Sequence, residues 1–274
     1  MRSVALMSCA PIMVLALPST AHADPHALPF SYPYETLLQG QVEVEQYMDF
    51  VPMRVEREKL DGTLDDVWGV RSVLTTELDV GLTDRLELGF SLQLRQDASG
   101  TTPFMRLAGV KQRLHYRLAE TGELPVDVGL YLEVSEHHNE LELEERILVS
   151  KRLGSMTLVA NLWVEQEWYF QDSVTKYIFN PTAGATYEIT PRCHVGLEYW
   201  SRGRLDDTRD DQIALTDDAP TKTHHYLGPT FLYQPDRVFF ALGVYARIDT
   251  IGESAVAGDP FGKIWLRSTI GLEL

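Results

Sequence analysis

Hydrophobic and polar residues alternate along most of the chain, from residue 38 to residue 274. Residues 85–95 are a clear example, because Leu86, Leu88, Phe90, Leu92 and Leu94 fall on one face of an extended chain and polar residues or glycine on the other. Alternation with a period of two predicts strands with one apolar face. Since no segment has a convincing helical period, we expect an all-β protein.

The alternation is interrupted by short turns and by longer polar loops, in turn. The predicted turns are residues 81–84, 119–124, 151–155, 189–192 and 234–237, and the predicted loops are 51–66, 96–103, 136–139, 170–175, 202–223 and 249–262. Short turns on one rim and longer loops on the other are typical of outer-membrane barrels. A soluble sandwich is the alternative, but its strands have a mode of about 5–6 residues, and those predicted here are longer.

The predicted fold is therefore a closed antiparallel up-and-down transmembrane β-barrel of about 12 strands. The strands are 38–50, 67–80, 85–95, 104–118, 125–135, 140–150, 156–169, 176–188, 193–201, 224–233, 238–248 and 263–274. Pro181 and Pro229 each lack an amide donor, so we expect a bulge or distortion in their strands. Glu145 falls on the lipid side of its strand, which implies either a bulge that shifts the parity or a tolerable depth.

The first residues are typical of a secretory signal peptide, with Arg2, an apolar stretch and the cleavage pattern Ala21-His22-Ala23. An uncleaved anchor would need roughly 20 apolar residues, more than this stretch has. We therefore predict a signal peptide over 1–23, an N-terminal periplasmic segment over 24–37 and the barrel over 38–274. The mature chain would keep only Cys193, which excludes an internal disulfide.

The chain has a formal net charge of -16 and a mean hydropathy of -0.16. This acidity argues against nucleic acid as a partner, since phosphate binding needs clustered Lys and Arg. Aromatic residues at strand ends predict two girdles at the membrane interfaces. Near the loops we assign Tyr47, Trp68, Trp168, Tyr169, Tyr177, Tyr199 and Trp200 to a girdle, and near the turns Tyr116, Tyr187, Tyr233 and Phe239.

The inward faces of the predicted strands carry charged residues that would line the lumen. They are Glu43, Glu45, Glu77, Glu87, Arg113, Arg117, Glu133, Glu142, Glu144, Arg146, Glu165, Glu167, Glu198, Arg247 and Arg267. A bore of about twelve strands lies between the filled interior of eight and the open channel of sixteen. Such residues could therefore pair to fill the bore or line a narrow pore. The surplus of carboxylates, chiefly Glu43, Glu45, Glu165 and Glu167, predicts a preference for cations or neutral solutes.

No motif indicates a cofactor, a defined metal site or catalysis. His137-His138 and His224-His225 lie at the predicted loop rim, and Asp206, Asp207, Asp210, Asp211, Asp217 and Asp218 crowd the longest loop, but their spacing matches no ligand motif. The alternative to a specific metal site is that these residues bridge divalent cations to surface lipopolysaccharide. Ser135 and His137 are not accompanied by a Gly-x-Ser-x-Gly motif or by the further residues of a lipase-type site. We therefore do not expect an enzyme.

Four segments resemble the outer-membrane family of phenol-degradation meta-pathway proteins: residues 81–88 (GLTDRLEL), 109–114 (GVKQRL), 130–134 (LYLEV) and 225–230 (HYLGPT). The resemblance covers residues 67–135 well and the rest in outline, and Leu274 stands where barrels usually end on an aromatic residue. It implies a barrel that passes small, often hydrophobic or aromatic molecules, with no catalytic residues to transfer.

We therefore predict an outer-membrane channel or transporter for small molecules. The expected partners are outer-membrane lipid, lipopolysaccharide, the barrel-assembly machinery and a small-molecule solute. A closed barrel with a structural or surface role and, less favoured, a lipid-modifying enzyme are the alternatives.

Overall fold

The computed structural model describes residues 26–59, 61–100, 104–171, 173–204, 223–257, 259 and 261–274. The predicted signal peptide lies outside these residues. The strands are β1 (Val42–Glu58), β2 (Leu64–Thr83), β3 (Leu86–Gln96), β4 (Arg106–Arg117), β5 (Asp127–His137), β6 (Glu140–Leu153), β7 (Met156–Tyr169), β8 (Val174–Phe179), β9 (Thr182–Thr190), β10 (Cys193–Arg204), β11 (His224–Tyr233), β12 (Val238–Arg247) and β13 (Ile264–Glu273). No helix among the described residues is long and apolar enough to cross a membrane.

The strands form one closed antiparallel sheet. Except for β8 and β9, consecutive strands pair with each other, and β1 pairs with β13 through register partners such as Glu43 and Glu273. Both β8 and β9 lie between β7 and β10, so together they supply one position in the wall. The barrel thus has twelve positions, and the predicted fold class is confirmed.

Both predicted proline distortions are present. Asn180 and Pro181 separate β8 from β9, although the Asn180 amide still donates to the Trp163 carbonyl at 2.9 Å. Around Pro229 the pairing of β11 with β12 is missing at residues 228–229, while the register is the same on both sides. The missing proline donor therefore interrupts the ladder locally without shifting it.

The predicted loop over residues 51–66 is wrong, since most of it is strand. Alternation continues through Val51, Met53 and Val55, and every residue from Val42 to Glu58 has a partner in β2. An ion pair between Arg54 and Asp66, with an N–O distance of 2.7 Å, joins the two strands there. Charged residues in this hairpin made it resemble a polar loop, but they lie on its exposed outer part.

The two faces of the wall have opposite chemistry. Large apolar side chains such as Leu92, Ile147 and Leu162 face outward and are about half exposed, whereas Glu45 and Glu165 face inward with 1% exposure. This is the reverse of a soluble protein and fits a wall surrounded by lipid. Glu145 lies outward and exposed, and β6 keeps a regular register with both neighbours, so the strand has no bulge.

The aromatic girdles are only partly as predicted. Trp68, Tyr116, Tyr177, Tyr187 and Tyr233 are exposed on the outside. Tyr47, Trp200 and Phe239 are instead at most 5% exposed and point inward. Since neighbouring residues in a strand face opposite sides, Tyr199 and Trp200 cannot both point to lipid.

Candidate functional site

Residues 26–38, here called the N-terminal segment, cross the inside of the barrel. The amides of Phe30 and Ser31 donate to Glu198 Oε1 on β10 at 3.1 and 2.7 Å. The Leu37 amide donates to Glu87 Oε2 on β3 at 2.8 Å. Because these anchors lie on distant strands, the segment spans the bore. Residues 26–37, which we predicted as part of a periplasmic segment over 24–37, are held on the inner side of the barrel wall by these hydrogen bonds.

The backbone amides of the N-terminal segment donate to side chains of the wall and not to the backbone of a neighbouring strand. The Tyr32 amide donates to Asn161 Oδ1 at 2.7 Å, and Asn161 Nδ2 donates back to the Tyr32 carbonyl at 3.0 Å. Pro29 and Pro33 remove two amides, so the segment cannot join a sheet without losing donors. Its buried backbone is satisfied by polar side chains of the wall, as buried peptide groups require.

Phe30 is held in an aromatic cluster on one side of the bore. Its ring stacks on Trp200 with centroids 4.5 Å apart and meets Tyr245 and Trp265 edge to face at 5.1 and 5.9 Å. The Arg267 guanidinium lies over the outer face of the Phe30 ring, 3.8 Å from its centroid. Aromatic and cation–π contacts of this kind stabilise a buried ring by about 0.5–2 kcal/mol each.

Tyr32 is held between cations on the other side of the bore. The guanidinium carbons of Arg113 and Arg146 lie 5.1 and 4.8 Å from its ring centroid, and the Tyr131 ring lies 5.1 Å away. Arg146 also lies over the Trp163 ring at 3.6 Å. Phe30 and Tyr32 therefore form an aromatic floor across the barrel.

Above this floor is a cavity of about 800 Å³, bordered on its far side by residues near the longer loops, such as Arg106 and His138. Its charged lining consists of Asp49, Glu77, Glu133, Glu140, Glu142, Glu144, Glu165, Glu167, Arg71, Arg95, Arg106, Lys111, Arg146, Arg202 and Arg267. Eight acidic groups thus face seven basic groups, and aromatic rings such as Trp163 and Trp265 lie between them. The cavity is nearly balanced in charge and can offer both polar and ring contacts.

Most of the cavity carboxylates are paired. Lys111 Nζ lies 2.7 Å from Glu133, and Arg267 lies 2.7 Å from Asp49. Arg202 joins Glu165 at 3.2 Å and Glu167 at 3.3 Å. Glu165 and Glu167 were predicted as surplus acids because β7 itself carries no Lys or Arg. Their partner comes from β10, so the predicted negative surplus is smaller in the cavity.

A second charged cluster lies in the wall of β1–β4, beside the N-terminal segment. Arg113 forms ion pairs with Glu77, Asp79 and Glu87, at 2.8 Å to Asp79 and 3.0 Å to Glu87. Glu43 is directly opposite Asp79 in the register, and Glu45 is directly opposite Glu77. All of these side chains are at most 7% exposed.

The structure places all fifteen predicted lumen residues on the inner side of the wall, but in different settings. Eight line the cavity: Glu77, Glu133, Glu142, Glu144, Arg146, Glu165, Glu167 and Arg267. The other seven do not: Glu43, Glu45, Glu87 and Arg113 belong to the wall cluster, Arg117 bonds the turn at Asp84, Glu198 binds the N-terminal segment, and Arg247 pairs with Asp259.

Sequence reasoning missed the aromatic part of the site. Phe30, Tyr32, Trp200 and Trp265 were not proposed as lining residues, although the parity of Trp200 with Glu198 marks it as inward. Alternating aromatic residues between prolines in 29–34 were the available signal for the segment. A solvated linker seldom carries that many buried-type residues.

The rim histidines contact different partners and do not gather. His224 Nδ1 lies 2.9 Å from Asp249, His225 bonds the Tyr199 hydroxyl at 2.7 Å, and His137 lies 3.4 Å from Glu142. The aspartates of residues 206–218 lie outside the described residues. Ser135 donates to Glu133 at 3.2 Å.

No family model matches the chain, and no curated protein matches its sequence. Solved structures match its fold. An outer-membrane channel from Pseudomonas putida F1 superposes with a TM-score of 0.60 at 14% identity, over 88% of this chain and 98% of that one. The NanC porin superposes with a TM-score of 0.54 at 9% identity, over 85% and 98%. The chain therefore has the fold of an outer-membrane β-barrel.

Proposed function

We propose that this protein is a passive outer-membrane channel for small molecules. The observation that carries the proposal is the cavity of about 800 Å³ inside a closed barrel, bordered by residues near the longer loops. Its size is within the range of small-molecule sites, roughly 300–1,000 Å³. The two structures of similar fold are named as a channel and a porin, which also supports a channel function.

The outer surface supports the proposed location. A band of exposed apolar side chains suits contact with outer-membrane lipid, with lipopolysaccharide next to the longer loops. Delivery would use the signal peptide over 1–23, with insertion by the barrel-assembly machinery. All of these partners belong to the proposal.

The preferred solutes are small molecules that carry an aromatic or hydrophobic part and a polar group. The aromatic floor offers ring contacts, and the paired charges above it can accept or donate hydrogen bonds. This composition agrees with the resemblance to the phenol-degradation meta-pathway family, which we retain as part of the proposal.

The N-terminal segment obstructs the straight path through the barrel. Passage therefore requires that Phe30 and Tyr32 move from the floor. A barrel that stays closed and serves a structural or surface role is the second candidate, and the buried anchors of the segment are the observation that favours it.

Conductance in a planar bilayer distinguishes the two. The refolded full-length mature protein is compared with a variant that lacks residues 26–35 and with Phe104→Ala, a control at an exposed side chain. A channel should give small steps that increase in the deletion variant and stay unchanged in the control. Absence of conductance from the folded deletion variant would show that the barrel is closed for another reason.

Uptake into liposomes tests the solute class. Catechol and arabinose are close in size, and only catechol has a ring. We expect the protein to speed catechol uptake more than arabinose uptake over protein-free liposomes. Equal acceleration would remove the aromatic preference while leaving the channel in place.

Selectivity should follow from the charges on the inner side of the barrel, both in the cavity and in the β1–β4 wall. Replacing Glu43, Glu45, Glu165 and Glu167 together with Gln should reduce any cation preference in the reversal potential under a salt gradient, and less at high salt. Because Arg202 already pairs with Glu165 and Glu167, we expect this change to be small. Arg202→Gln should increase the cation preference.

A further inference from the structure

The wall of β1 and β2 contains acidic residues that face each other without enough basic partners. Glu43 is opposite Asp79 on one side and opposite Glu273 on the other, and Glu45 is opposite Glu77. Like charges directly opposite one another in a sheet repel. Among the described residues, Arg113 is the only Lys or Arg that forms an ion pair with Glu77, Asp79 or Glu87, and none forms one with Glu43 or Glu45.

Several of these carboxylate oxygens are buried and lack hydrogen-bond partners. Within the described part of the chain, no group donates to Glu45 Oε1, Asp79 Oδ1 or the neighbouring Glu43 Oε2. Their residues are 1%, 2% and 7% exposed. A buried charge without a partner is strongly unfavourable, so these carboxylates must either gain a positive group beyond Arg113 or keep a proton.

The geometry matches a metal ion. One carboxylate oxygen from each of Glu45, Glu77 and Asp79 lies within 4.8 Å of the others. That separation is compatible with a shared cation at the 2.3–2.6 Å bond lengths of Ca²⁺, which takes several carboxylate oxygens in flexible geometry. Glu77 also lines the cavity, so the site adjoins the cavity.

Two other acidic groups in the barrel have similar spacing but better compensation. They consist of Glu140, Glu142 and Glu167, and of Glu142, Glu144 and Glu165. Arg202 pairs with Glu165 and Glu167, Arg146 pairs with Glu144, and His137 lies 3.4 Å from Glu142. The group of Glu45, Glu77 and Asp79 therefore has less basic charge beside it than the other two groups, and a bound cation would compensate more negative charge there.

We propose that Glu45, Glu77 and Asp79 form a binding site for a hard divalent cation, with Ca²⁺ as the best match, in the barrel wall beside the N-terminal segment. Arg113 links this site to that segment, because it pairs with Asp79 and lies under the Tyr32 ring. A bound ion would relieve the repulsion within the wall. It would also stabilise the position of Arg113, against which Tyr32 of the N-terminal segment packs.

Titration of the refolded, chelator-treated full-length mature protein with Tb³⁺ and then Ca²⁺ tests the proposal. The Tyr47 hydroxyl bonds Glu45, so Tb³⁺ at this site should luminesce when tyrosine is excited. We expect one Tb³⁺ per chain, displaced by Ca²⁺. Glu45→Gln should weaken binding at least about tenfold, and Glu142→Gln, which alters both other groups, should bind as the unchanged protein does.

Folding of each variant is checked by heat-modifiable gel migration, and Glu45→Asp replaces Glu45→Gln if the latter does not fold. The melting temperature of the unchanged protein gives a second measurement, since binding to the folded state alone must raise it. No saturable Tb³⁺ binding, or loss of binding in Glu142→Gln but not in Glu45→Gln, overturns the proposal. If the melting temperature responds to acid but not to Ca²⁺, the carboxylates are compensated by shared protons and not by a metal ion. That outcome also overturns the proposal.

Discussion

The side chain of Arg113 occupies the space that a Cβ atom would need at Gly89. The two residues are register partners in β3 and β4, and a Cβ at position 89 would lie 2.5 Å from both Cγ and Nε of Arg113. The same Cβ would lie 2.5 Å from Asp79 Oδ1. Glycine at this position therefore lets the guanidinium cross the strand and reach its carboxylates.

Gly89→Ala should destabilise the barrel by roughly 1–3 kcal/mol, the usual cost of overpacking. Urea unfolding in detergent measures the loss. In an Arg113→Ala background the penalty should shrink, because Cγ and Nε of Arg113 are absent and only the contact with Asp79 Oδ1 remains. Equal penalties in the two backgrounds would show that the strain does not come from Arg113.

Arg113→Met should cost more than most single changes in this protein, roughly 3–5 kcal/mol, because it leaves Glu77, Asp79 and Glu87 buried without their base. Arg85→Met is the matched control. Arg85 pairs with Glu120 at 3.0 Å, but both side chains are at least 40% exposed, so its loss should cost at most about 1 kcal/mol. Similar losses for the two variants would contradict the role given to Arg113.

Glu198→Ala should loosen the N-terminal segment, because it removes the acceptor of the Phe30 and Ser31 amides and of the Tyr245 hydroxyl. Leaving buried donors unpaired costs about 1–3 kcal/mol, roughly 5- to 150-fold in a local opening equilibrium. Chymotrypsin cleavage after Phe30 measures that opening. Glu188→Ala, which removes a surface pair with Arg152, should leave cleavage slow.

The loop over residues 248–263 should loosen in acid. Burial opposes ionisation of Asp259, but hydrogen bonds from Arg247 and the Phe261 amide outweigh it and lower the pKa of Asp259. A group with a lowered pKa stabilises the folded state above its unfolded pKa of about 3.9, and that stability is lost as the pH falls through the folded value. The protection factors of the loop amides, which are corrected for the intrinsic slowing of exchange in acid, should therefore fall below about pH 4.

The control for this pH dependence is Asp259→Asn, which cannot ionise. It should lower the protection factors at neutral pH and remove the additional loss of protection in acid that depends on this residue. Asp249 contributes in the same direction, since the His225 amide and the His224 ring overcome the effect of burial and lower its pKa. If the loop of Asp259→Asn loosens in acid as much as the loop of the unchanged protein, groups other than Asp259 cause the response.

The two rims should differ in accessibility on intact cells. Gly62 lies in the connection between β1 and β2, and Gly154 in the turn between β6 and β7, and both have a positive φ and open space around them. A peptide tag at Gly62 should be labelled from outside and a tag at Gly154 only after the cells are opened. Labelling of the Gly154 tag on whole cells would invert the proposed orientation.

The period-two alternation by itself determined the barrel. Each strand has one face for lipid and one for the interior, and this fixed the fold class, the approximate strand positions and the inward direction of residues such as Glu45 and Arg113. The prolines at 181 and 229 marked the two interruptions correctly. These properties are local, because a strand's faces and a missing amide donor do not depend on distant residues.

Tertiary structure decided which charges meet and what fills the bore. Arg202 reaches Glu165 and Glu167 from another strand, so counting charges along single strands overstated the negative surplus. The alternating aromatic residues of the N-terminal segment mark it as buried but do not give its destination, because it is held by Glu198, Asn161 and Glu87 of three separate strands. Ion pairing and anchoring across a barrel depend on closure and register, which bring together residues far apart in the chain.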